Sequence, residues 1–253
     1  MSADHDLDRI SPTLAPTDKP VGWQNWRTLA FIHWRVPVAQ IRPLIPPELE
    51  LDTWGGKAWV AVVPFAMERV RPWWSPPIPG VSWFLETNVR TYVHHKGVPG
   101  VWFMSLEATN TIAVLAARAG WCLPYFRSTL TLRRDGDALS FTGRRRWPAP
   151  AGAGYDISAN LGPLIRQTET PGHAAPGTLE HFLAERYYLY TVDRRGRLLR
   201  GRVHHTPYPL REARIEQWSD SLLASHGIVP TGDPSHVAFS EGVDVAIHGL
   251  VPV

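Results

Sequence analysis

The sequence predicts an α+β protein, mainly antiparallel β-sheet curled into a cone or barrel around a cavity, with a few helices outside. Three observations lead there. Short runs of aromatic and branched residues recur along the 253-residue chain, punctuated by its 24 Pro and 20 Gly, as a sheet with tight turns would read. Helical periodicity is confined to brief segments. One strand-like run sets a row of polar groups opposite an apolar face, which suits a sheet wrapped around a lined space.

The elements follow in order. Residues 1–20 are polar and Pro-containing and read as a flexible N-terminal arm; 21–253 read as one domain. Trp23–Val36 is a strand, or a hairpin turning near Asn25. Val38–Leu44 is a short helix closed by Pro46-Pro47. Ala58–Phe65, Trp83–His95 and Val101–Thr109 are strands, and Thr111–Ala119 is a helix ending at Gly120. Ser128–Arg134 and Ala138–Trp147 flank Asp135-Gly136, a strong hairpin signal. Pro148–Gly154 is a loop, and Thr178 caps a helix running to about Tyr187. Tyr188–Val192 and Leu198–His205 form a second hairpin around Arg195-Gly196. A strand near Glu212–Trp218, a short helix at Asp220–Ser225 and a last strand at Val243–His248 complete the chain. The Pro72–Trp83 segment (PWWSPPIPGVSW) is a structured loop, either a lid over the cavity or a contact with a second copy in a homo-oligomer.

Composition narrows the function classes. With 44% hydrophobic and 19% charged residues the chain can build a core, which excludes disorder over most of its length. A single cysteine, Cys122, excludes a disulfide framework and Cys-based metal centres, and in GWCLPY it reads as a buried small hydrophobe. No apolar run reaches the roughly 18 residues of a membrane span. The start, MSADHDLDRI, carries acids where a signal peptide carries base, so a cytoplasmic protein without membrane contact is expected. Between Arg127 and Arg202, 13 Arg meet 7 acids. A solvated strand edge explains this base better than phosphate contacts, and nucleic acid is not expected as a partner.

The chemistry is predicted from WFLETNVRTYVHH, residues 83–95. Alternate strand positions share a face. Leu85, Thr87, Val89, Thr91 and Val93 form one; Glu86, Asn88, Arg90, Tyr92 and His94 form the other. Five buried polar groups would each cost roughly 1–3 kcal/mol if unpaired, so this face meets water or a cavity. Glu, Arg, Tyr and His are acid–base and binding groups, which favours a cavity for a small molecule. Pairing with the next strand brings Glu107 near Arg90 as an ion pair, of binding or purely structural use. The pairs His94-His95 and His204-His205 cannot chelate as units, because neighbours on a strand point opposite ways. No metal is expected, nor a cofactor: Walker, Rossmann, HExxH and GxSxG patterns are all absent.

Several runs resemble one bacterial family: HWRVP (His33–Pro37), LIPPELELDTWGGKAWVAVVPF (Leu44–Phe65), ETNVRTYV (Glu86–Val93), GVPGVWFMSLEA (Gly97–Ala108), AARAGWCLPYF (Ala116–Phe126) and ERYYLY (Glu185–Tyr190). The match is to the YqjF-like family, domain of unknown function 2071, of the acetoacetate decarboxylase-like superfamily. The resemblance spans about residues 23–210 and implies a curved sheet closing around a cavity. In true acetoacetate decarboxylases a lysine, its pKa lowered by a neighbouring lysine, forms a Schiff base with the keto acid. The corresponding place here is Leu123-Pro124-Tyr125-Phe126, where Tyr125 and Phe126 replace the lysines. The resemblance therefore argues against Schiff-base decarboxylation. It implies that Glu86 matches an acid lining the superfamily's cavity and Arg118 its helix arginine. The resulting expectation is a pocket for a small carbonyl- or carboxylate-bearing molecule, with lyase or proton-transfer chemistry. Glu86 would be the base, Tyr125 the acid or hydrogen-bond donor, and Arg90 the carboxylate anchor; Asn88, Tyr92, His94, Glu107 and Arg118 would line or support the site. A non-catalytic binding or sensing protein is the alternative.

Overall fold

Alternation along a few unusually long strands sets the architecture. The computed structural model describes residues 7–253. In chain order its strands are β1 (Gly22–Val36), β2 (Glu50–Leu51), β3 (Ala58–Pro72), β4 (Phe84–His95), β5 (Val98–Ala108) and β6 (Tyr125–Asp135). They continue as β7 (Ala138–Trp147), β8 (Gly154–Leu164), β9 (Tyr188–Val192), β10 (Leu198–His204), β11 (Leu210–Asp220) and β12 (His236–Pro252). The helices are α1 (Val38–Ile41), α2 (Thr111–Gly120) and α3 (Leu179–Ala184). The fold class is the predicted one: mainly β, with all strands in one sheet ordered β10-β9-β5-β6-β7-β8-β11-β12-β1-β3-β4-β2. All pairings are antiparallel except those of β5 with β6 and β9.

Two further pairings, β4 with β5 and β10 with β12, close this sheet on itself twice. One ring passes through β5-β6-β7-β8-β11-β12-β1-β3-β4; the other takes the shorter way round through β9 and β10. The strands β12, β1, β3, β4 and β5 are therefore a common wall, buried on both faces where Leu29–Trp34 of β1, Ala58–Phe65 of β3 and Glu86–Val93 of β4 run side by side. Their sequences show it: Val60 and Val62 pack in the nine-strand ring with Trp34, Phe141 and Ile157, while Ala61, Val63 and Phe65 pack in the other with Phe31 and Tyr208. A strand buried on both faces reads as a continuous apolar run, as AWVAVVPF does.

Several boundaries differ from expectation. No hairpin turns at Asn25: β1 runs unbroken, absorbing extra residues in bulges, with Thr28 in the left-handed region at φ 54°. The strand β8 was not predicted, and β12 is far longer than Val243–His248. The helix capped by Thr178 forms, its hydroxyl accepting from the His181 amide, but stops at Ala184. Residues 1–6 of the expected arm lie outside the described residues. The remainder rests on the barrel: Arg9 meets Asp52 at 2.5 Å, Asp18 meets His248 at 2.7 Å, and Arg202 donates to the Leu14 carbonyl at 2.6 Å. Among the described residues no helix is long and apolar enough to cross a membrane.

Candidate functional site

The polar face of β4 points into the smaller ring. Register fixes what lies beside it on β3: Ala61 opposite Arg90, Val63 opposite Asn88, Phe65 opposite Glu86 and Met67 opposite Phe84. On the other side, β5 diverges toward β6 and β9, and α2 lies across the gap. Asn110 caps that helix, its side chain accepting from the Ala113 amide and donating to the Gly80 carbonyl. The cavity holds about 320 Å³ and is lined by Glu86, Asn88, Arg90 and Tyr125 within an otherwise mainly apolar and aromatic surround that includes Phe31, Phe65, Phe103, Leu106, Trp121 and Tyr208.

Glu86 and Tyr125 meet here although 39 residues separate them: the tyrosine hydroxyl donates to Glu86 Oε2 at 2.9 Å. Glu86 is 3% exposed. Burial pushes its carboxyl up to about 8, only partly opposed by the bond from Tyr125. Burial, together with the Glu86 charge, raises the Tyr125 hydroxyl well above its ordinary range. Arg118 does not line this cavity. It donates to the Tyr125 backbone carbonyl at 2.6 Å and so holds the start of β6 in place.

Arg90 is 7% exposed. Its Nη2 donates to the Leu183 carbonyl at 3.1 Å and lies 3.5 Å from the Tyr92 hydroxyl. Its guanidinium faces the Phe31 and Tyr92 rings. Among the described residues no carboxylate pairs with it, and its Nε has no partner. Asn88, 9% exposed, likewise has an unpartnered Oδ1. Tyr92 is sealed away from the cavity, its hydroxyl donating to the Leu183 carbonyl at 2.8 Å and meeting His33 Nε2 at 2.7 Å. It therefore steadies Arg90 instead of facing a ligand. His94 lies beyond the cavity, 3.8 Å from Glu50.

The expected pair between Glu107 and Arg90 does not form. Glu107 stands opposite Thr87 in the ladder, on the face turned to the nine-strand ring, and pairs there with Arg145 at 2.6 Å. The site also contains a residue missed in the sequence. Arg186, just after α3, lines the cavity and is held by Asp52 at 2.6 Å. A lone arginine following a short helix carries no signal of that role. No residue of the Pro72–Trp83 loop lines the cavity, and Trp73 and Trp74 stand about two-thirds exposed. Cys122 is only partly buried and lines a second, more open hollow of about 660 Å³ between β5, β6 and β9. Among the described residues no three His, Cys, Asp or Glu side chains gather as a metal site requires. Lys19, Lys57 and Lys96 are all exposed, and none lines the cavity.

Comparison with known proteins agrees with this architecture. The profile of the DUF2071 family, described as an uncharacterized conserved protein, matches residues 23–244. The chain is 38% identical over 212 residues to the uncharacterized protein YqjF of Bacillus subtilis (strain 168), covering 83% of this chain and 84% of that one. Among solved structures, an acetoacetate decarboxylase superposes with a TM-score of 0.64 at 14% identity, covering 96% of this chain and 97% of the other. The enduracididine biosynthesis enzyme MppR complexed with pyruvate superposes with a TM-score of 0.62 at 14% identity, covering 94% and 92%. The fold is thus the acetoacetate decarboxylase-like one.

Proposed function

The chain belongs to the DUF2071 family, YqjF included, and from the geometry of its cavity we propose that it binds a small 2-oxo acid and moves a proton on it without a Schiff base. One observation carries this reading: Arg90 is buried in the cavity wall, and among the described residues no acid neutralises it. A buried guanidinium left unpaired is costly, and a ligand carboxylate is the group that fits its fork. Glu86 stands one inward position along the same strand face from Asn88, and two from Arg90. A carboxyl held at about 8 can both give and take a proton near neutrality. It accepts a proton from the carbon beside the ligand carbonyl and returns it, while the Tyr125 hydroxyl orients its oxygen. That MppR has been seen with pyruvate, on the same fold, supports the ligand class. The exposed lysines argue against a covalent amine intermediate.

Two measurements test this. A 2-oxo acid at about a hundred times its dissociation constant should stabilise the protein by roughly 2.7 kcal/mol. Arg90→Gln should weaken that binding by about tenfold to a hundredfold, the worth of a hydrogen bond to a charged group. Wild-type protein in deuterium oxide should exchange the protons next to the carbonyl, and Glu86→Gln should slow that exchange by about a hundredfold or more. Unchanged affinity in Arg90→Gln would sink the reading. Binding without exchange would favour the second one, a binding or sensing protein, which the lack of any cavity lysine also supports.

A further inference from the structure

The lining of the cavity is asymmetric along the strands, and that asymmetry speaks to the kind of acid it takes. The polar positions Arg90, Asn88 and Glu86 follow one another on β4, and the next inward position is Phe84. From there on the wall is mainly apolar: Met67 faces Phe84 in register, Trp26 faces Met67 on β1, and the one polar neighbour, Gln24, has its carbonyl oxygen occupied by the Trp26 indole N–H at 2.8 Å. The trough from Arg90 to Phe84 spans six residues, or roughly 20 Å of strand. Over its roof, Ala113 and Ala117 of α2, one turn apart on a single helix face, present only methyl groups. A three-carbon acid held at Arg90 would leave the Phe84 end empty. Asn88 Oδ1 and Arg90 Nε, both on side chains more than nine-tenths buried and unpartnered, mark where the polar head belongs.

We propose that the ligand is an amphipathic acid: a 2-oxo carboxylate head at Arg90 and Asn88, and an unbranched or aryl apolar tail running past Glu86 between Phe84, Met67 and the alanine face of α2. This rests on the reading of the head group given above and adds the tail. Ala117 and Met67 then set the length of chain accepted.

Calorimetric titration with unbranched 2-oxo acids, from pyruvate to 2-oxodecanoate, tests the tail. Each methylene buried at about 0.8 kcal/mol tightens binding about fourfold, so the dissociation constant should fall stepwise with length and then level off where the trough is full. Ala117→Phe, which fills the roof, should move that break to shorter chains and leave pyruvate within about twofold of wild type. Met67→Ala should move it to longer ones. The two variants act in opposite directions, so a folding defect in one leaves the other, and the wild-type slope, decisive. Acids that bind equally at every length overturn the tail and leave the head-group reading standing. No binding by any acid overturns both.

Discussion

Replacing Glu86 by Gln should make the protein more stable at neutral pH, by about 3 kcal/mol at pH 7. The folded chain holds this carboxyl at about 8, against an ordinary 4.5. Between those values the folded state keeps a proton that the unfolded state has released, so stability falls as pH rises through the window and levels off above it. Each pH step inside it costs about 1.4 kcal/mol. Glutamine has the shape of the neutral acid and nothing to ionise, so the slope should vanish in the variant. The two proteins should melt together near pH 4 and separate steadily above pH 5. At pH 7 the gap should be roughly 6–12 °C, given about 2–4 °C per kcal/mol for a chain of this size. A variant that melts below wild type at pH 7 would mean that the carboxylate is ionised and stabilised in the fold, and the proton-transfer reading would lose its acid. Stability gained together with loss of exchange is the pattern of a group kept in place for chemistry.

The β4 face was readable because five consecutive alternate positions carry Glu, Asn, Arg, Tyr and His while the other face carries only Leu, Val and Thr, a pattern with few explanations in a chain otherwise able to bury its core. Glu86, Asn88, Arg90 and Tyr125 do line one cavity. What alternation cannot supply is how far along a strand the cavity extends. Tyr92 shares the face with Arg90 but is sealed by α3, and His94 lies past the end. Nor does it say which face of the neighbouring strand is level with it. A bulge between Val89 and Arg90 shifts the ladder to β5, and Glu107 falls opposite Thr87 on the other side of the wall. The strand β8 was hidden for a different reason. Tyr155, Ile157, Ala159 and Leu161 alternate with Asp156, Ser158 and Asn160, but glycines at both ends and Pro163 punctuate the run as turns do. The double closure of the sheet depends on pairings such as β10 with β12, between segments far apart in the chain, which no local pattern encodes.

The largest loss of stability should come from the ion pair on that other side. Arg145 and Glu107 are each 2% exposed, and the guanidinium donates twice to Glu107 Oε1, from Nη2 at 2.6 Å and Nε at 3.1 Å. Ser128 donates to Oε2 at 2.6 Å, and the Arg145 guanidinium stacks on Phe126 at 3.7 Å. The three partners come from β5, β6 and β7, so the pair bridges a seam. The parallel contact of β5 with β6 is only Leu106–Tyr125, Glu107–Phe126 and Ala108–Arg127, and it closes the nine-strand ring. Arg145→Met should leave Glu107 charged and unpaired in that seam and cost about 3–5 kcal/mol, a fall in melting temperature of roughly 10 °C. Adding Glu107→Leu should recover most of it, because two apolar groups of similar volume need no desolvation of charge. Arg145 does not line the inner cavity, so the recovered double variant should still bind 2-oxo acids. If the double variant is as unstable as the single one, packing around Phe126 and not the uncompensated charge holds the seam, and Tyr125 owes its position to that packing.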